Sequence, residues 1–124
     1  MKNNNDNPIL KLTFEFSLDV IKYAEILNEE KKYVIAKQLL RSATSIGANA
    51  REAQNAESKA DFIHKMKIAH KEADETQYWL ELCNAAENYP NNKELEEKIF
   101  VIIKILSKII GSSKGKTKIV ELSN

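Results

Sequence analysis

A chain of 124 residues with 19 Lys and Arg against 18 Asp and Glu has room for one domain and one core, and its net charge of +1 excludes a global attraction to polyanions. Its one cysteine, Cys83, excludes an internal disulfide, and the polar start MKNNNDNP lacks a signal peptide's apolar stretch, so a soluble cytoplasmic protein is expected. The most apolar run, 99–110, is broken by Lys104, Ser107 and Lys108 and falls short of the about 20 residues a membrane span needs, so no membrane association is expected.

Only three glycines and two prolines punctuate a sequence rich in Leu, Ile, Ala, Glu and Lys, and no segment alternates as a strand would; the fold class expected is all-α. Residues 1–8 read as a flexible N-terminus, within which Asn7 and Pro8 suit the cap and first position of a helix ending near 28–31. Its apolar residues Phe14, Phe16, Leu18, Val20, Ile21, Ala24 and Leu27 cover more than one face, which calls for more than one neighbour. A second helix is expected over 32–54, where Ala36, Leu40, Ala43, Gly47 and Ala50 recur at spacings of four and three. This seam of small side chains lets a partner helix approach closely, which offsets the roughly 1 kcal/mol that a mid-helix glycine costs relative to alanine.

Ser58 followed by Asp61 marks the start of a third helix running to about Asn88, with Phe62, Met66, Ala69, Ala73, Thr76, Leu80 and Cys83 as its seam. Pro90 ends it, and Asn91 or Asn92 caps a fourth, whose early Glu94, Glu96 and Glu97 and late Lys104 and Lys108 follow the order the helix dipole favours. Its seam is Leu95, Ile99, Ile102, Leu106 and Ile109, but apolar residues occur nearly all round. A monomer would leave part of that surface bare, so Phe100, Ile103 and Ile110 are candidates for an oligomer interface. Gly111 is the expected stop, with 111–124 a flexible lysine-rich tail, and 9–110 an antiparallel up-down-up-down four-helix bundle.

The polar residues admit more than one reading. Ser42, Ser45, Asn49 and Glu52 share a face of helix two, and an antiparallel register brings Arg41 close to Glu72 or Glu75 of helix three. We expect these seven residues to form a structural network that fixes helix register. The alternative is a metal-dependent or acid–base enzyme using Glu72, Glu75 and Arg41. Against it, no Glu-x-x-His of the di-metal bundles occurs, and His64 and His70, six residues apart, point to different faces. No catalytic residue, metal ligand or cofactor is assigned, and the expectation is a non-enzymatic protein. Lys59, Lys65, Lys67 and Lys71, with Arg51, are candidate contacts to RNA or DNA phosphates, which a symmetric assembly would multiply.

The runs KQLLRSATSIGANAREA and SKADFIHKMKIAHKEADETQYWLEL resemble the four-helix-bundle family of 23S rRNA intervening-sequence proteins, through Gln38, Arg41, Ser42, Ser45, Ile46, Asn49 and Glu52 and through Phe62, Ala69, Glu72, Glu75, Thr76, Trp79 and Leu80. The resemblance implies a small antiparallel bundle that assembles with itself, a homopentameric ring being the form of related bundles. Related accessory variability determinants of diversity-generating retroelements are similar to basic rings that partner a reverse transcriptase and nucleic acid, which implies RNA, DNA or a nucleic-acid enzyme as partner. The near-zero net charge here departs from that branch. The resemblance implies no particular activity. The function expected is that of a self-assembling interaction scaffold.

Overall fold

A computed structural model of the protein describes residues 7–123, all four of whose regular elements are helices: α1 (Pro8–Glu29), α2 (Tyr33–Ala53), α3 (Lys59–Ala85) and α4 (Lys93–Ser123). Each helix except α2 starts where the sequence supplies a side-chain cap. The Asn7 side chain accepts the Ile9 amide (3.2 Å) ahead of Pro8, Ser58 Oγ accepts that of Asp61 (3.0 Å), and Asn92 Oδ1 accepts that of Leu95 (3.0 Å). α1 ends with Lys31 at a φ of 63°, where the Lys32 amide reaches back to the Leu27 carbonyl (2.8 Å). This is a Schellman stop built without glycine.

The helices form a four-membered bundle in which each packs on its chain neighbours and α4 closes against α1. Cross-helix contacts descend on one helix as they rise on the next. Asn7 meets Gln54 while Thr13 meets Gly47; His70 meets Ser107 while Asn84 meets Glu96; Asp19 meets Lys98 while Tyr23 meets Pro90. Neighbours in all three pairs are therefore antiparallel. The core is the set of facing seams: Phe16, Val20 and Leu27 from α1, Leu39, Ala43 and Ile46 from α2, Met66, Ala73 and Leu80 from α3, and Leu95, Ile99, Ile102 and Leu106 from α4.

Two expectations are corrected, and a third is narrowed. The α2 seam turns by a fraction of a turn, so that Leu39, Ser42 and Ile46 are buried while Leu40 and Gly47 lie at its edge against α1. Gly47 still serves close approach, since a Cβ there would sit 3.3 Å from Thr13 Oγ1. Gly111 does not stop α4, which continues to Ser123. Neither Gly111 nor Gly115 takes a positive φ, and Ser113 bonds back to the Ile109 carbonyl (2.9 Å), so the last turns keep a helical backbone despite two glycines. Finally, Ile103 and Ile110 are half-buried against the core. They fall in one row with Glu96 and Ser107, which bond Asn84 and His70 of α3, so this row lines the α3/α4 seam, while Phe100, the third interface candidate, is exposed. The expectation for residues 1–6 lies outside the described residues.

Candidate functional site

Three surface features remain once the core is accounted for. The first is the polar cluster between α2 and α3. Arg41 Nη1 donates to Glu72 Oε2 (3.2 Å), its Nη2 to Glu75 Oε2, and Trp79 Nε1 donates to the same Glu75 oxygen (2.9 Å). Beneath them Thr76 Oγ1 lies 2.8 Å from both Ser42 Oγ and the Glu72 carbonyl, and Ser42 Oγ lies 3.2 Å from the Leu39 carbonyl. Both hydroxyl residues are fully buried, whereas Arg41 is 47% exposed, so the cluster is a buried hydroxyl pair under a solvent-facing ionic clasp.

Of the seven residues expected here, Arg41, Ser42, Glu72 and Glu75 are brought together. Ser45 and Asn49 bond instead to backbone carbonyls of their own helix, of Arg41 (2.7 Å) and Ser45 (2.8 Å), and Glu52 is exposed. Ser45 and Asn49 lie on the same arc of α2 as Arg41 and Ser42, but their polar atoms are taken up by their own helix. Thr76 and Trp79 complete the cluster. Thr76 reads in sequence as a seam residue, and the pairing of two small hydroxyls across a seam has no one-dimensional signal. Among the described residues no three His, Cys, Asp or Glu side chains converge as metal ligands. Cys83 is buried beside Tyr23, and burial raises its thiol pKa above the ordinary range, opposing the thiolate a nucleophile needs.

The second feature is a lysine face. Lys59, Lys67 and Lys71 are exposed on α3, whereas Lys65 is drawn to Asp61 (3.8 Å) and Arg51 lies away from them, on α2 beside α1. The acid-free lysine run of 98–118 extends this face: Lys108 and Lys114 are exposed on α4, with Lys114 beside Lys67.

The third is apolar. Phe14, Leu18 and Ile21 form a stripe along α1 that the bundle does not cover, Phe14 being 62% and Leu18 47% exposed. With Leu10, Thr44, Gly47 and Ala48, Phe14 and Leu18 border a groove of about 720 Å³ between α1 and α2, edged by Lys11, Glu15 and Arg51. Around the corner, on the α2/α3 side, Val34, Tyr78 and Leu82 are also exposed. On α4 the aromatic ring of Phe100 is exposed, with Lys104 Nζ 4.5 Å from its centre. The excess width of helix one is the sequence signal for the groove.

The family model of the 23S rRNA-intervening sequence protein matches residues 5–110 of this chain. The structure is similar to that of a protein of unknown function from the S23 ribosomal protein family of Bacteroides thetaiotaomicron, with 44% identity, a TM-score of 0.77, and 82% of this chain and 97% of that chain covered. No curated protein matches. No helix among the described residues is long and apolar enough to cross a membrane.

Proposed function

The chain belongs to the 23S rRNA-intervening sequence protein family, and we propose that within it this protein is a non-enzymatic scaffold that assembles with itself and presents a cationic face to RNA or DNA. The observation that carries self-assembly is the uncovered α1 stripe of Phe14, Leu18 and Ile21 beside its groove. An apolar strip of this length is costly to leave in water, and a second copy is the partner always present at matching concentration.

Seating the Val34, Tyr78 and Leu82 patch of one copy in the α1/α2 groove of the next makes a head-to-tail contact, which gives a ring where its rotation closes and an open filament where it does not. The two lie on adjacent sides of the bundle, so successive copies turn relative to one another as a closed ring requires. The homopentamer is the ring we propose. Glu72 and Glu75, engaged by Arg41 and Trp79, then serve register and leave no free acid–base pair.

Mass by light scattering tests the assembly: Phe14→Glu with Leu18→Glu should reduce the mass while circular dichroism stays helical. An unchanged mass would remove the groove from the interface. Nucleic-acid contact is the second reading, favoured by the exposed lysines of α3. It requires binding of generic RNA or DNA that weakens with salt. A nucleic-acid enzyme as partner would share the same cationic face. Absence of binding at low salt would end that reading.

A further inference from the structure

The acids and bases of α3 and α4 are segregated along the chain. From Glu72 to Glu97 there are eight acids against one lysine, whereas residues 62–71 and 98–118 contain no acid at all. The antiparallel pairing lays these two acid-free stretches side by side. His70 Nε2 and Ser107 Oγ are 2.9 Å apart, and further along Lys67 meets Lys114. Two lysine-rich segments that are separate in sequence thus become one surface at one end of the α3/α4 hairpin, with the acids at the other.

We propose that this two-helix surface, centred on Lys67, Lys71, Lys108 and Lys114, binds the phosphate backbone of nucleic acid; the proposal rests on the nucleic-acid reading above and names its site. All four lysines are exposed, and none is ion-paired to a described acid, in contrast to Lys65 on Asp61 and Lys98 on Asp19 and Glu94. The like-charged Lys67 ammonium beside Lys114 lowers the Lys114 pKa below the ordinary lysine range. A like-charge contact of this kind is relieved by an anion between the two heads.

Neighbouring helix axes are about 8–10 Å apart, and long lysine stems on both can gather onto successive phosphates. The four residues supply charge and no aromatic ring, so base stacking by them contributes nothing and charge density decides. A duplex is therefore bound at least as tightly as a single strand, without sequence preference. The surface lies on α3 and α4, away from the α1/α2 groove.

The test is fluorescence anisotropy of a fluorescein-labelled DNA duplex of mixed sequence, titrated with full-length protein across a salt series. The double variant Lys108→Gln with Lys114→Gln should weaken binding at low salt by about tenfold and lower the log–log salt slope by about 0.9 for each phosphate no longer neutralised, with helicity unchanged. The control pair Lys22→Gln with Lys37→Gln, exposed on α1 and α2, should keep the wild-type slope. If the wild-type protein binds and the α4 pair changes neither affinity nor slope, or if the control pair weakens binding as much, the site is wrong while nucleic-acid contact stands. If the wild-type protein binds neither this duplex nor an RNA duplex of the same length at low salt, both fall.

Discussion

Removing the buried hydroxyls of Ser42 and Thr76 one at a time and together tests whether they act as a pair. Each hydroxyl carries one proton, and three short contacts involve the two oxygens, at 2.8, 2.8 and 3.2 Å. Thr76→Val keeps the shape but strands Ser42 with only its longest contact, so a loss of about 1–2 kcal/mol is expected. Ser42→Ala leaves Thr76 its bond to the Glu72 carbonyl and costs about 1 kcal/mol, including the small void. The double variant leaves no hydroxyl unsatisfied, and its loss should fall short of the sum by about 1 kcal/mol. Urea unfolding followed by circular dichroism, at one protomer concentration because assembly couples to stability, measures all four corners of the cycle. Additivity within about 0.5 kcal/mol would show that the hydroxyls do not interact and would refute the pairing.

Replacing Arg41 by Ala should cost only about 0.5–1 kcal/mol, because its two ion pairs face solvent, and Arg41→Lys should recover little of it, since one ammonium cannot reproduce the fork; urea midpoints measure both. Lys31→Gly should stabilise by about 1 kcal/mol, as the φ of 63° there strains any side chain, and a lowered midpoint would contradict the Schellman stop. Gly47→Leu should destabilise by about 1–3 kcal/mol, since Thr13 is held by the Ile9 carbonyl (2.8 Å) and cannot retreat. Burial raises the pKa values of both Cys83 and Tyr23, so the folded state favours their protonated forms. Their contribution is complete below the unfolded thiol pKa and is lost progressively as pH rises through the thiol and phenol ranges; Cys83→Ala should flatten the first part of that decline in pH-dependent unfolding.

Much of the fold is legible in one dimension because helix seams and caps are local. The seven-residue seam expected for α3 is buried from Met66 to Cys83, with Phe62 at its edge, and Asn7, Ser58 and Asn92 cap as their positions suggest. The Arg41 contacts to Glu72 and Glu75 follow from antiparallel register alone. What stays hidden depends on how far a helix is rotated. A small rotation of α2 puts Ser42 against Thr76, and the choice of Ser45 and Asn49 to bond their own backbone is a local one that residue spacing does not reveal. Apolar content also misleads about surfaces: α4 has the most isoleucines, yet Ile103 and Ile110 are absorbed within the bundle, while α1 leaves Phe14 and Leu18 outside. The contact between Lys67 and Lys114, 47 residues apart, likewise exists only after α3 and α4 have paired.

Self-assembly through the α1 stripe is the central claim, and multi-angle light scattering on the eluting wild-type protein tests it directly. The chain is 14.1 kDa, so a ring appears as a single species at a fixed multiple of that mass, about fivefold for the homopentamer. A homogeneous monomer at 14.1 kDa across the concentration range would contradict it and leave Phe14, Leu18 and Ile21 without a role.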